Sequence, residues 1–217
     1  MKTCLRFGAA LILATSASAA LAQAEPRLVT ANKKVIVENV TTVAVGTWTP
    51  AVPVTAVSRA SASYATPEKA AVALLSAMAA GDYAWWLSIW SPEARALMTQ
   101  RYQESGRTSA DIVANWRGIL TERPAVLVGK AEYARQRSIY ALVRYRTTGG
   151  SGLTARDLKT GKVTDLGSKD FENTLAFKLS NGRWEAVQDL AADPVFHGSG
   201  MLWDETKSEV RITRTAD

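Results

Sequence analysis

One cysteine and one histidine in 217 residues exclude most thiol and metal chemistry. Cys4 sits in a stretch that reads as a leader, so the mature chain is expected to carry no thiol, no disulfide and no cysteine metal ligand. Without a cross-link, the fold must hold by its core alone. His197 has no second histidine with which to share a metal, and as a general base it would need a partner and a pocket. The plainer reading is a histidine packed in a loop or on the surface. No glycine-rich phosphate loop, nucleophile elbow or zinc-ligand spacing occurs, and no cofactor is expected.

Long apolar runs are also missing. The one near the start, Phe7 to Ala14, is too short to span a bilayer and no stop-transfer pattern follows it. Lys2 and Arg6 precede it, and small residues lead from it to Ala22-Gln23-Ala24. That order is the pattern of a secretory signal, with cleavage expected after Ala24; Ala17-Ser18-Ala19 is the other candidate site, and an uncleaved anchor the other reading. No lipid-attachment cysteine lies at the cut, so the product is expected to be periplasmic or secreted without a lipid anchor. Removing 24 of 217 residues leaves 193, enough for one domain with its own core.

The net charge of +6 falls to +4 when Lys2 and Arg6 leave with the signal. The basic residues are scattered (Arg135 and Arg137, Arg144 and Arg146, Arg211 and Arg214), which reads as a solvated surface. A nucleic-acid groove would mass them with stacking aromatics between, so no nucleic-acid partner is expected.

Three zones follow the leader. Residues 25–65 are rich in Val, Thr, Ala and Pro; Val35-Ile36-Val37 and Thr42-Val43-Ala44-Val45 suggest short strands, and Pro50, Pro53 and the run Ser58 to Ser63 an extended linker. The second zone is helical. Thr66-Pro67-Glu68 supplies a cap, a proline at the first helical position and an acid in the first turn; Ala71, Leu74, Leu75 and Met78 share a face, and Gly81 ends the helix. Asp82 caps a second helix with Trp86, Ile89 and Trp90 on one side. Ser91-Pro92-Glu93 opens a third, to about Tyr102, and Thr108 with Asp111 forms a capping box for a fourth that turns Ile112, Trp116, Ile119 and Leu120 inward before Pro124. The third zone is sheet. Leu127, Gly129, Ala131 and Tyr133 alternate with polar neighbours, as do Ile139, Ala141, Val143 and Tyr145, with a hairpin at Arg135-Gln136-Arg137. A glycine-rich excursion runs from Thr148 to Lys169, with a small turn at Thr160-Gly161. The Asn181-Gly182 turn then joins Phe171–Leu179 to Arg183–Leu190. Residues 195–217 read as a polar, loosely held tail in which Val210 to Thr213 could add a strand. Helices followed by an antiparallel meander predict an α+β fold over residues 66–194.

The run from Thr66 through Leu74-Leu75-Ser76-Ala77-Met78-Ala79-Ala80-Gly81-Asp82-Tyr83 to Ser91-Pro92-Glu93-Ala94-Arg95 resembles the opening of nuclear-transport-factor-2-like (SnoaL-like, cystatin-like) domains. Asn181-Gly182-Arg183-Trp184 resembles their closing hairpin. The resemblance covers roughly residues 66–190 and rests on structural motifs. It implies a cone-shaped α+β roll, helices in a curved antiparallel sheet, often dimeric through the sheet face. Members of that superfamily include isomerases, cyclases, dehydratases, transport factors and periplasmic domains of secretion machinery, so fold does not settle function, and no catalytic residue carries over.

Six residues are candidates to line such a hollow. Trp85 cannot share the face of Trp86 and Trp90, which makes it a candidate pocket wall or partner contact. Tyr133, Tyr140 and Tyr145 are candidates for the concave sheet. Asp189 and Asp193 bracket the end of the last strand, where a desolvated carboxylate could act as a base; the plainer reading is a solvated Asp189 and a turn at Asp193-Pro194. The expected function is that of an exported, non-enzymatic domain of the cell envelope that binds a small apolar or aromatic ligand or a protein partner, with a homodimer through the sheet face possible in that family. The alternative is a lyase or isomerase working through Asp189 or Asp193.

Overall fold

The computed structural model describes residues 27–36, 40–116, 118–148, 154–156, 163–165, 171–188, 190, 193–204, 206 and 209–211. The fold is α+β. Two strands, β1 (Arg27–Ile36) and β2 (Val40–Pro53), lead into helices α1 (Pro67–Ala79), α2 (Tyr83–Ile89), α3 (Pro92–Glu104) and α4 (Ser109–Ala114). Then come β3 (Ala125–Arg135), β4 (Ser138–Thr147), the short pair β5 (Thr154–Arg156) and β6 (Val163–Asp165), β7 (Phe171–Ser180) and β8 (Arg183–Ala186). Two single-turn helices, α5 (Pro194–His197) and α6 (Ser199–Leu202), and β9 (Glu209–Arg211) close the order. The main sheet is open, in the order β8-β7-β4-β3-β2-β1-β9, antiparallel except where β9 runs parallel to β1.

The helix starts follow the sequence signals. Thr66, Asp82, Ser91 and Thr108 each accept a backbone N–H in the first turn, and Thr108 and Asp111 close a capping box. Gly81 takes the left-handed conformation (φ 65°) that lets the chain leave α1 and enter the Asp82 cap at once. The fourth helix is shorter than its apolar spacing suggests and stops at Ala114, ahead of the left-handed Gly118 and Leu120. The turns Gln136-Arg137 and Asn181-Gly182 both have two positive-φ residues, the geometry that matches the twist of paired strands.

Two departures from the sequence reading matter for function. Residues 27–36 and 40–53 are long paired strands rather than short strands and a linker. β2 lies inside the sheet between β1 and β3, and Val43 and Val45 are buried. Pro50 falls where the β2–β3 register slips between Thr47 and Val52, so its missing N–H costs no ladder bond. Residues 195–204 are also not a loose tail: Val195 and Leu202 are fully buried. The Thr160-Gly161 turn, Val37, and Ile212 and Thr213 lie outside the described residues.

The sheet therefore has two covered faces. On one, the four helices pack Leu74, Leu75, Trp86, Ile89 and Trp116 against Leu127, Val143 and Phe177; each fully buried leucine contributes about 1.5–3 kcal/mol. On the other, Val195 and Leu202 pack against Val43, Ala131 and Leu142. A bulge at Val128 divides β3 between them, because Leu127 pairs with Tyr145 while Gly129 pairs with Arg144. The single alternating face read through Leu127, Gly129, Ala131 and Tyr133 is corrected accordingly: Leu127 faces the helices, and Ala131 and Tyr133 face the C-terminal segment.

Candidate functional site

Three of the six candidate residues meet on the face covered by the C-terminal segment. Tyr133 and Tyr140 are cross-strand partners in β3 and β4, and their rings stack at 5.6 Å. The Tyr133 hydroxyl donates to Asp193 Oδ2 at 3.0 Å, and Arg135 Nη1 lies 3.2 Å from the same oxygen. Asp193 Oδ1 accepts the backbone N–H groups of Val195 (2.9 Å) and Phe196 (3.3 Å), the first orphan donors of α5. Asp193 is thus the cap of a helix whose first residue is Pro194, not merely the start of a turn.

This geometry decides what Asp193 can do. The carboxylate is 2% exposed; Oδ1 accepts two backbone N–H groups, and Oδ2 accepts the Tyr133 hydroxyl and pairs with the Arg135 guanidinium. A base must aim a free lone pair at the proton it removes, and both oxygens here are committed to Tyr133, Arg135 and the helix. Burial raises the Tyr133 phenol above its ordinary range, and the neighbouring Asp193 charge and hydrogen bond raise it further. Tyr133 therefore stays protonated and remains a donor. The cluster works as a latch that ties the C-terminal segment to the sheet. Sequence reasoning missed Arg135, taken as a solvated surface cation. It also missed the cap, although Asp193-Pro194 repeats the cap-then-proline order of Thr66-Pro67 and Ser91-Pro92.

The other candidates stand apart. Trp85 is buried on the helical face, where its indole N–H donates to the Tyr64 hydroxyl at 3.0 Å; it is core rather than pocket wall or contact surface. Tyr145 is buried on that same face, where burial raises its phenol, so the three tyrosines do not line one concave surface. Asp189 lies outside the described residues. His197 closes α5.

The space between helices and sheet is filled by the protein's own rings. Trp86 lies 5.0 Å from Trp116, 5.3 Å from Trp90 and 5.6 Å from Tyr83, ring centre to ring centre. Trp184 is buried in the same cluster. Two spaces lie among the described residues. A hollow of about 150 Å³ lies among Leu74, Trp90, Leu175, Ala186, Val187 and Phe196. An open cleft of about 310 Å³ lies over Met78, Gly81, Val113, Trp116 and Gly118. Small-molecule sites usually begin at about 300 Å³ and hold several convergent polar groups; the hollow is half that size and the cleft is lined mainly by apolar and small residues. The buried Trp90 Nε1 has no hydrogen-bond partner among the described residues.

Two further ion pairs support the frame. Lys130 bridges Glu68 at 2.6 Å and Glu132 at 3.0 Å, fastening the start of α1 to β3. Burial pulls the Glu68 carboxyl up, but the Lys130 ammonium, its own backbone N–H and the Thr66 hydroxyl outweigh it, and the net shift is downward. Among the described residues, no three His, Cys, Asp or Glu side chains converge as a metal site would require. Comparison with family models, curated proteins and solved structures finds no match, so the resemblance to nuclear-transport-factor-2-like domains rests on the sequence motifs alone.

Proposed function

We propose that this chain is an exported, non-enzymatic interaction domain of the cell envelope, built as a curved α+β roll of the nuclear-transport-factor-2-like kind, whose partner is a protein rather than a small molecule. One observation supports the reading: Trp86 packs ring against ring with Trp90, Trp116 and Tyr83 in the helical core, where a roll of that kind would hold a ligand. A domain whose hollow is filled with its own side chains is left with its surface to work with. Export rests on Lys2, Arg6, the short apolar run and Ala22-Gln23-Ala24. The enzymatic alternative finds little support in Asp193, whose oxygens are all engaged.

The test is photo-crosslinking in the intact envelope from exposed positions such as Arg107, Ile139 and Asn181. The expected result is one protein-sized adduct that recurs from neighbouring positions and is absent from opposite ones. Uniform or absent adducts, with the exported chain present at normal abundance, would overturn the reading.

A further inference from the structure

The edge strand β8 is too short for its neighbour. Its four residues cover only Phe177–Ser180 of the ten-residue β7. One more bond, from Val187 N–H to the Ala176 carbonyl, follows before the chain leaves. Phe171–Leu175 therefore have β4 on one side and, among the described residues, no strand on the other. The two-residue Asn181-Gly182 turn makes Ser180 and Arg183 a hydrogen-bonded pair, so by alternation Thr174 and Glu172 point their backbone N–H and C=O groups outward. Among the described residues the Thr174 N–H is met only by the neighbouring Asn173 side chain, at 2.7 Å. An open row of donors and acceptors is a template for another strand.

Two further features lie on the same edge. Phe171 is 45% exposed, an unusual setting for a phenylalanine. It points to the same face of the sheet as Leu175, because Phe171, Asn173 and Leu175 are alternate residues opposite Thr147, Tyr145 and Val143. Leu175 is in turn part of the wall of the 150 Å³ hollow. An apolar knob and an apolar hole thus sit four residues apart on one unpaired strand.

We propose that two copies of this chain pair antiparallel through this edge, with the twofold axis at Asn173. Glu172 of each copy then exchanges backbone hydrogen bonds with Thr174 of the other, and Phe171 of each stands beside Leu175 of the other, at the mouth of its hollow. The interface is isologous, each copy supplying the same knob and the same hole. The register follows from what is already engaged. An axis at Glu172 would set two carboxylates face to face and leave Leu175 uncovered. An axis at Thr174 would call on Ala176, whose carbonyl Val187 already holds. The contact is small, so the dimer is weak and concentration-dependent. It is independent of the protein partner proposed above, and either can fail alone.

The axis puts the two Asn173 residues opposite each other as a non-hydrogen-bonded pair, with Cα atoms about 4.5 Å apart, within disulfide reach. The test uses the full chain with Cys4→Ser and Asn173→Cys, oxidised at rising protein concentration, beside an Asn181→Cys control at the exposed hairpin tip. A disulfide-linked dimer is expected from position 173 at least tenfold faster than from 181. Adding Thr174→Pro, which removes the outward N–H but no bond to β4, is expected to abolish the difference. Phe171→Asp, at an exposed position, is expected to do the same and serves if the proline variant does not fold. Equal rates at 173 and 181, or a position-173 dimer that survives both substitutions, would overturn the proposal.

Discussion

On one face of the sheet, four capped helices hold a run of indole rings; on the other, one short segment holds Val195, Leu202 and the buried Asp193, paired with the half-buried Arg135. The helical face gets its stability from area, since each tryptophan buries a large apolar surface in non-directional contacts. The C-terminal face gets its placement from direction: Asp193 must meet Tyr133, Arg135 and two backbone N–H groups at once. The contrast suggests a division of labour in which the first face sets whether the domain folds, and the second sets whether α5 and α6 stay down.

The largest effect should come from the helical face. Trp86→Ala is expected to lower global stability by about 3–5 kcal/mol, read as a shifted denaturant midpoint with unchanged slope. A loss under about 1 kcal/mol would mean that the ring cluster is loosely packed, contrary to ring separations of 5.0, 5.3 and 5.6 Å.

Asp193→Asn should be smaller and local. Losing a buried charge-assisted acceptor costs about 1.5–3 kcal/mol. Hydrogen exchange is expected to quicken at Val195–Trp203 while α1 amides keep their protection. Equal acceleration on both faces would make the sheet and its two covers one cooperative unit.

The pH dependence gives the finest distinction. The folded-state pKa of Tyr133 lies above its unfolded value of about 10. Its contribution is therefore fully present below pH of about 10 and is lost as pH rises through the folded value. Tyr133 phenolate absorbance, isolated by comparison with Tyr133→Phe, should appear only as α5 and α6 release. Ordinary titration of Tyr133 near pH 10, with the C-terminal segment still protected from exchange, would show that the hydroxyl is not held as described.

The same contrast explains what could be read in advance. Helix starts on the first face are written in adjacent residues: Thr66-Pro67-Glu68, Ser91-Pro92-Glu93 and the Thr108–Asp111 box each satisfy their own donors locally. The Asn181-Gly182 hairpin is local in the same sense. The C-terminal face depends on partners far apart in the chain. Tyr133 finds Asp193 across 60 positions, and nothing near either residue announces the other. The bulge at Val128 cannot be seen in an alternating pattern because it lets both halves of β3 stay alternating while turning one of them over. Pro50 and Pro53 suggested a linker because proline normally ends a strand; here Pro50 falls in the irregular stretch of β2 and Pro53 is its last residue. Of the six candidate residues, Tyr133, Tyr140 and Asp193 were placed together for a reason the sequence did not contain. Trp85, chosen because it lay off the face of its neighbours, proved to be buried in the helical core with its indole N–H donating to Tyr64.

The most direct test is native mass spectrometry of the protein purified gently from the cells that make it. The expected result is the chain's mass, or that of a protein complex, with no recurring small-molecule excess. A reproducible excess of small-molecule size, lost when the 150 Å³ hollow is filled by Ala186→Leu, would contradict the reading that the domain works through its surface rather than through a ligand pocket.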